Sequence, residues 1–560
     1  MRGPIVATDS SQSDLPTWRP LLPICRDHGS STLKFRHDSL YPSRRSPVLA
    51  RNVVSTSHPL AAQAGLRVLD AGGNAVDAAL AAAITLVVVE PSGNGLGSDA
   101  FAILWDGAEL HGLNASGRSP QGWKPERFPE EMPERGWESV TVPGAVSAWV
   151  DLSDRFGRLP FERVFEPAID YAENGFLVSP VIGELWGRAA ILLGDRPGFA
   201  EGFLPGGRAP LPGELFRSPA MARSLRLIAE TRGEAFYRGE LAERIAAFAR
   251  EHDAVLTEDD LAAHRNDWCG TISARYGDIE LHEIPPNGQG IAACMALGIL
   301  RHVGLENHTP DSVDALHLEI EAMKLAFRDV HAYVADLDAM TRVRPADLLD
   351  DDYLASRAKL IDPTRATDFG PGAPRQGGTV YLTVGDAEGM MVSYIQSNYS
   401  GFGSGVVVPE TGISLQNRGF GFTAQPGHPN QVGPRKRPFH TIIPGFLMKD
   451  GAPLMSFGVM GGPMQAQGHL QMTLRTQLWD QDPQTAVDAP RWRAVQGLEV
   501  AIEEAVGETV LAALAERGHV VSCESPEEAF GFGGAQLVQR VEGGYVAGSD
   551  PRKDGQAVGY

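Results

Sequence analysis

Apolar and polar positions divide this chain into stretches of different period. Between Val313 and Val334 the apolar residues Val313, Leu316, Ile320, Met323, Phe327, Val330 and Val334 recur at steps of three and four. That spacing predicts an amphipathic helix covering a core face. A second helical stretch starts at Ser57-His58-Pro59, breaks at Gly72-Gly73 and resumes through Val76 to Leu80, as two helices joined at a glycine C-cap do. Its alanines imply close packing. The nearly apolar run from Ala78 to Val89 is well short of the roughly 20 residues that span a bilayer, so it reads as a buried helix or strand. Leu349 to Asp362 is polar and helical in character.

The last third changes period. Thr379 to Val384 and Met390 to Gln396 alternate as half-buried strands do, and Gly385 to Gly389 between them suits a hairpin turn. With Val384 opposite Met390, Thr379 falls opposite Ile395, and Ser397 is its diagonal neighbour on the same face. The first strand follows abruptly on a Gly- and Pro-rich loop, Pro363 to Gly378. Helices before and after a block of antiparallel strands predict an α+β layered fold.

Composition narrows the function. The 560 residues carry 49 basic and 70 acidic side chains, a formal charge of −21. Nucleic-acid and anionic-membrane binding, which need clustered Lys and Arg, are therefore not expected. The four cysteines are far apart, and the fifteen histidines show no metal-ligand spacing, so neither a disulfide framework nor a metal is expected. "GNGLGS" (93–98) lacks the Lys-Ser/Thr of a phosphate-binding loop. Residues 1–47, rich in Ser, Arg and Pro, read as a poorly ordered extension without chemistry. They show no apolar signal segment, so a cytoplasmic location is expected.

The loop-to-strand boundary at Gly378-Thr379 has a chemical reading. A hydroxyl is a weak nucleophile, and a free α-amine on the same residue serves as its general base. Thr379 acquires that amine only if the peptide bond to Gly378 breaks. Flexible glycines before the Thr would let its hydroxyl reach the Gly378 carbonyl carbon.

The segments "DAGGNAVDAALAAAI" (70–84), "EPSGNGLGSDAF" (90–101), "VTVPGAVSAW" (140–149), "EAMKLAFRDV" (321–330), "QGGTVYLTVGDAEG" (376–389), "FGSGVVVPETGISLQNRG" (402–419), "VGPRKRP" (432–438) and "GVMGG" (458–462) resemble, in this order, the γ-glutamyltransferase (glutathione hydrolase) family of N-terminal nucleophile hydrolases. The resemblance implies a four-layer αββα sandwich made by self-cleavage, with a large subunit (48–378) and a small one (379–560) from one precursor. It leaves open a dimer of such αβ units and implies no metal or organic cofactor. Thr379 matches the family's catalytic and self-processing residue. Ser397 stands at a second hydroxyl beside it, and Gly461 and Gly462 match the oxyanion-hole glycines. Arg118, after a small gap, matches the arginine that clamps the substrate carboxylate.

Departures from the family pattern bear on the substrate. Arg418 and Gly421 occupy positions whose polar and acidic residues hold the substrate's α-ammonium, and a cation and a glycine cannot do so. His440 and Thr441 replace two serines that hold the α-carboxylate; both can donate hydrogen bonds, and His440 adds charge if protonated. The segment 423–438 is shorter than the family's lid. These features resemble the branch containing cephalosporin acylases and oxamate amidohydrolases. The resulting expectation is an autoprocessing hydrolase of γ-glutamyl or related carboxylate-bearing amides. The alternatives are a glutaryl or cephalosporin acylase, an oxamate-type or secondary-metabolism hydrolase, and an inactive scaffold that only binds small acids.

Overall fold

A computed structural model describes residues 45–370, 378–525 and 531–560. Most of the expected N-terminal extension and part of the loop ahead of Gly378 lie outside these residues. From Arg45 the chain is docked: the guanidinium donates to the carbonyls of Asp550 (3.0 Å) and Lys553 (3.1 Å), a few residues ahead of the expected boundary at Val48.

Two seven-stranded sheets form the centre. In the first, the spatial order is Gln556–Gly559, Val53–Thr56, Gly378–Gly385, Met391–Tyr399, Asp99–Trp105, Leu110–Ala115 and Asp267–Trp268. In the second, it is Val48–Ala50, Gly544–Ser549, Gly534–Val541, Ala452–Met460, Gly445–Lys449, Ile279–Glu283 and Ile272–Tyr276. Every pairing within them is antiparallel. Gly378–Gly385 sits inside its sheet, flanked on both sides.

Strand alternation separates three apolar layers. Val380, Leu382, Val384, Val392, Tyr394, Ala100 and Ala102 point to one core, where helices Pro59–Asp70 and Ala75–Val89 cover the sheet. Their neighbours Tyr381, Met391, Ile395, Phe101 and Ile103 meet Phe446, Met460 and Val538 of the second sheet. Helices Gly290–Leu300, Val313–Tyr333 and Met464–Gln477 cover that sheet's far side. Helix, sheet, sheet, helix is the expected αββα order.

The two short helices form as the sequence foretold. His58 Nδ1 accepts from the Leu60 amide (3.2 Å), and Asn74 with Asp77 makes a capping box at the second start. Gly72, at φ +91°, carries the turn between them. All fifteen residues of Ala75–Val89 are buried, so the apolar run is a core helix.

The hairpin register differs from expectation by two residues. Val384 pairs with Val392 rather than Met390, and Tyr381 rather than Thr379 lies opposite Ile395. The cause is Asp386: its Oδ1 accepts from the amides of Glu388 (3.0 Å) and Met390 (3.1 Å), closing the turn over Asp386–Met390 and leaving Gly385 in the strand. The slip is an even number, so the hydroxyls keep the face they were assigned.

Glu319, on helix Val313–Tyr333, is buried and accepts from Trp492 Nε1 at 2.9 Å. Burial raises its carboxyl from 4.5 to about 7. Its folded value exceeds the unfolded one, so its contribution to stability is present at low pH and lost as pH rises from about 4.5 to 7. Glu319→Gln should therefore melt above the parent at pH 8, with the gap closing as pH falls towards 5. A gap independent of pH in calorimetric melts would contradict this.

Candidate active site

A bulge sets the position of Thr379. The register shifts between Gly378 and Val380, so Gly378 pairs with Tyr399 while Val380 pairs with Gln396. Thr379 and Ser397 thereby face each other at the sheet's end, both buried. Thr379 Oγ1 donates to the Gly378 carbonyl at 2.8 Å, and Ser397 Oγ donates to the same oxygen at 2.7 Å. The two hydroxyls are 3.3 Å apart. Ser397 Oγ in turn accepts from the Tyr399 amide at 2.8 Å, which fixes its proton toward Gly378. Polarisation of the peptide bond that the sequence marks for cleavage is therefore built into the uncleaved chain. Gly93 packs against the following peptide, Thr379–Val380, and a Cβ there would lie 3.1 Å from the Thr379 carbonyl oxygen.

Gly461 and Gly462 make the turn from strand Ala452–Met460 to helix Met464–Gln477, with φ of +117° and +60°. Those angles suit glycine and aim consecutive amides at one side. Among the described residues neither amide donates a hydrogen bond, while both carbonyls accept, from Met464 (3.2 Å) and Gln465 (3.1 Å). Two free N-H groups at a helix N-terminus form a place for negative charge.

Two glutamines join this turn to its surroundings. Gln465 Nε2 approaches Thr379 Oγ1 at 3.4 Å. Gln289 Nε2 donates to the carbonyls of Gly462 (2.8 Å) and Thr441 (2.5 Å). Thr441 Oγ1 accepts from Arg418 Nη1 at 2.9 Å, which leaves the hydroxyl proton free to donate.

Arg418 is almost wholly buried, with its guanidinium carbon 4.6 Å from the centre of the Tyr399 ring. Among the described residues, its Nε and Nη2 have no hydrogen-bond partner. Burial lowers it to about 10, with Asp99 opposing that shift, so it remains charged at neutral pH. The unpaired Nε/Nη2 edge is the edge that receives a planar anion in a two-bond fork. Tyr399, which stacks on Arg418, also pairs with Gly378 and so links this cation to the strand start at Gly378-Thr379.

His440 has a different role from the one expected. The Ile442 amide donates to Nδ1 (3.3 Å), so the proton of the neutral ring sits on Nε2, facing Asp99 Oδ2 at 3.1 Å. Burial, followed by Arg418 and Arg437, holds its pKa well below 6.5, so His440 supplies no charge. Asp99 Oδ1 accepts from Gly117 (3.0 Å), Gly144 (3.1 Å) and Gln416 (3.1 Å). Burial raises this carboxyl to about 7, against the pull of Arg418.

Arg118 is not hydrogen-bonded into this group. Its guanidinium is partly exposed and 3.9 Å from Asp267, which also pairs with Arg437. Gly421 lies against the Phe439 carbonyl, which leaves no room for a Cβ. The short segment 423–438 folds on itself: Asn430 donates to the Gly421 carbonyl (2.7 Å) and accepts from the Phe439 amide (2.9 Å). Val432 packs with Trp123, Phe128 and Met132.

Metal-ligating side chains converge once among the described residues, where atoms of His317, Glu321 and His519 lie within 4.8 Å of one another. A cation is already supplied there, because Lys324 Nζ donates to Glu321 at 2.6 Å. His317 Nε2 donates to the Asp362 carbonyl (2.8 Å), leaving Nδ1 to accept from His519 Nε2 (2.9 Å). With the Thr367 amide on Glu321 (3.1 Å), this network holds the chain ahead of the cleavage loop.

The family model for gamma-glutamyltranspeptidase matches residues 61–560. The chain belongs to this family. It is therefore an enzyme of the N-terminal nucleophile hydrolase type. A glutathione hydrolase-like YwrD proenzyme from Bacillus subtilis is 36% identical over 92% of this chain and 99% of its own length. The oxamate amidohydrolase proenzyme of Klebsiella pneumoniae is 34% identical over 92% of this chain and 99% of its own. Among solved structures, a cephalosporin acylase from Bacillus halodurans superimposes with a TM-score of 0.89 at 46% identity, covering 94% of this chain and 99% of that one. No helix among the described residues is long and apolar enough to cross a membrane.

Asp99, Tyr399 and Gln465 carried no site signal in the sequence beyond their place in or near matching segments, and Gln289 lies far from all of those segments. Only folding brings them to Arg418 and Thr379. The hydroxyl contact gives a direct test. Ser397→Ala should slow self-cleavage about 10- to 100-fold by removing one donor from the Gly378 oxygen, and Ser397→Thr should stay near the parent on timed gels. Equal rates for Ala and parent would remove Ser397 from the chemistry.

Proposed function

We propose that the chain cuts itself between Gly378 and Thr379, and that Thr379 then hydrolyses amides whose acyl group carries a carboxylate and lacks an α-amine. The observation that carries the substrate reading is the unpaired Nε/Nη2 edge of buried Arg418 beside the cleavage site.

In self-cleavage, Thr379 Oγ attacks the Gly378 carbonyl carbon, with Ser397 stabilising the oxygen. The C–N bond breaks as nitrogen takes the hydroxyl proton, and water hydrolyses the resulting ester. Gly378 becomes a carboxylate, and Thr379 gains a free α-amine. In turnover that amine accepts the Oγ proton as Oγ attacks the substrate carbonyl, and the oxyanion meets the amides of Gly461 and Gly462. The leaving amine departs with a proton, and water releases the acyl group.

Arg418 and Thr441 anchor the substrate carboxylate, and Arg118 is a second cation outside that pair. An ammonium beside Arg418 would be repelled, so a glutaryl group should be preferred to γ-glutamyl. The names of two relatives, oxamate amidohydrolase and cephalosporin acylase, agree with such a pocket. A scaffold that only binds acids would have no use for two free glycine amides beside a polarised peptide bond. Segment 423–438, tied down by its own bonds, leaves the site without a long lid, which favours water over an amine as acceptor.

Thr379→Ala should stay one chain and turn over nothing. Arg418→Met should raise KM for glutaryl anilide about 10- to 100-fold, the range for losing a hydrogen bond to a charged group. The parent should hydrolyse glutaryl faster than γ-glutamyl anilide by kcat/KM. A clear γ-glutamyl preference, or a parental KM in Arg418→Met, would overturn the substrate assignment.

A further inference from the structure

Gln465 is fully buried in the first turn of helix Met464–Gln477. Its two amide atoms are not interchangeable. Oε1 accepts from the Ile443 amide at 3.0 Å, so Nε2 must face Thr379 Oγ1, 3.4 Å away. Its backbone N-H is spent on the Gly462 carbonyl, so the side chain is rigidly coupled to the oxyanion turn. The amide is thus a donor held against the reacting oxygen itself, a different atom from the one the glycine amides would serve.

Building on the assignment of Thr379 as nucleophile, we infer that Gln465 is a further catalytic residue, whose Nε2-H stabilises the charge that develops on Thr379 Oγ whenever that oxygen loses or regains its proton. Three steps need this. In acylation, Oγ bonds to the substrate carbon as its proton passes to the α-amine. In self-cleavage, Oγ bonds to the Gly378 carbon as its proton passes to the departing nitrogen. In hydrolysis of the acyl-enzyme, water gives a proton to the α-amine as it adds to the ester carbon, the C–Oγ bond breaks, and Oγ leaves with the electron pair and takes up that proton. In the resting chain the contact is long, and movement of Oγ along any of these paths can shorten it. A neutral amide suits this role because it donates without adding a buried charge next to Arg418 and the α-amine.

The decisive experiment compares parent, Gln465→Leu, Gln465→Glu and Thr379→Ala as full chains, following self-cleavage by gel and folding by thermal melting. Gln465→Leu should melt near the parent yet cleave about tenfold more slowly. Its matured fraction should turn over substrate about tenfold more slowly by kcat/KM, because acylation passes through the same charge on Oγ. Gln465→Glu has no donor when ionised and regains one when protonated, so its cleavage should be slowest at pH 8 and recover towards pH 5. A loss caused by packing alone would not show that recovery, and its absence overturns the inference. Parental cleavage in both Gln465 variants at pH 8 overturns it as well. Cleavage of Thr379→Ala would instead remove the nucleophile assignment, and a cleavage-deficient Thr379→Ala beside normal Gln465 variants would remove only the role of Gln465.

Discussion

The site depends on how one strand is fixed. Gly378–Gly385 is hydrogen-bonded on both sides within its sheet, sends Val380, Leu382 and Val384 into one core and sets Tyr381 against the other sheet. A strand held this way cannot slide by one residue without turning its apolar face out. That rigidity fixes Thr379 on the face between the sheets, opposite Ser397. The bulge after Gly378 then turns its carbonyl toward both hydroxyls. The geometry around this bond is one that the core enforces.

Electrostatics add a second constraint. Arg418 is a buried guanidinium with one nitrogen bonded to Thr441, two unpartnered and its ring neighbour Tyr399 beneath. Unpaired buried donors cost stability, and such costs concentrate where a ligand supplies the missing partner. Asp99 offers an opposite charge, but three donors and the His440 ring hold it in place. With its carboxyl raised to about 7, Asp99 offsets the Arg418 charge only in part, and among the described residues the fork stays free. The glutamines link these groups: Gln289 spans Thr441 and Gly462, and Gln465 reaches Thr379.

Much of this was legible in the sequence. The period-3.6 pattern over 313–334 became a helix ending at Tyr333, and the break at Gly72-Gly73 fell between two helices. The four-layer order followed from matching segments. The hairpin register was displaced because turn length depends on which backbone amides Asp386 caps, and alternation alone does not report that. His440 looked like a source of charge because its type can titrate; burial and the Ile442 amide keep it neutral. Arg418 read as the loss of an ammonium site, and its unpartnered edge among the described residues is visible only in the fold. Gln289 and Gln465, neutral and distant from Thr379 in sequence, act through contacts that no local pattern encodes.

The central claim is that the uncleaved chain is poised to break one bond. Intact-mass spectrometry of the purified, incubated protein tests it most directly. The account predicts two chains, the smaller matching residues 379–560 and beginning at Thr379. A single persistent chain of 60.1 kDa, or a cut at any other bond, would contradict it.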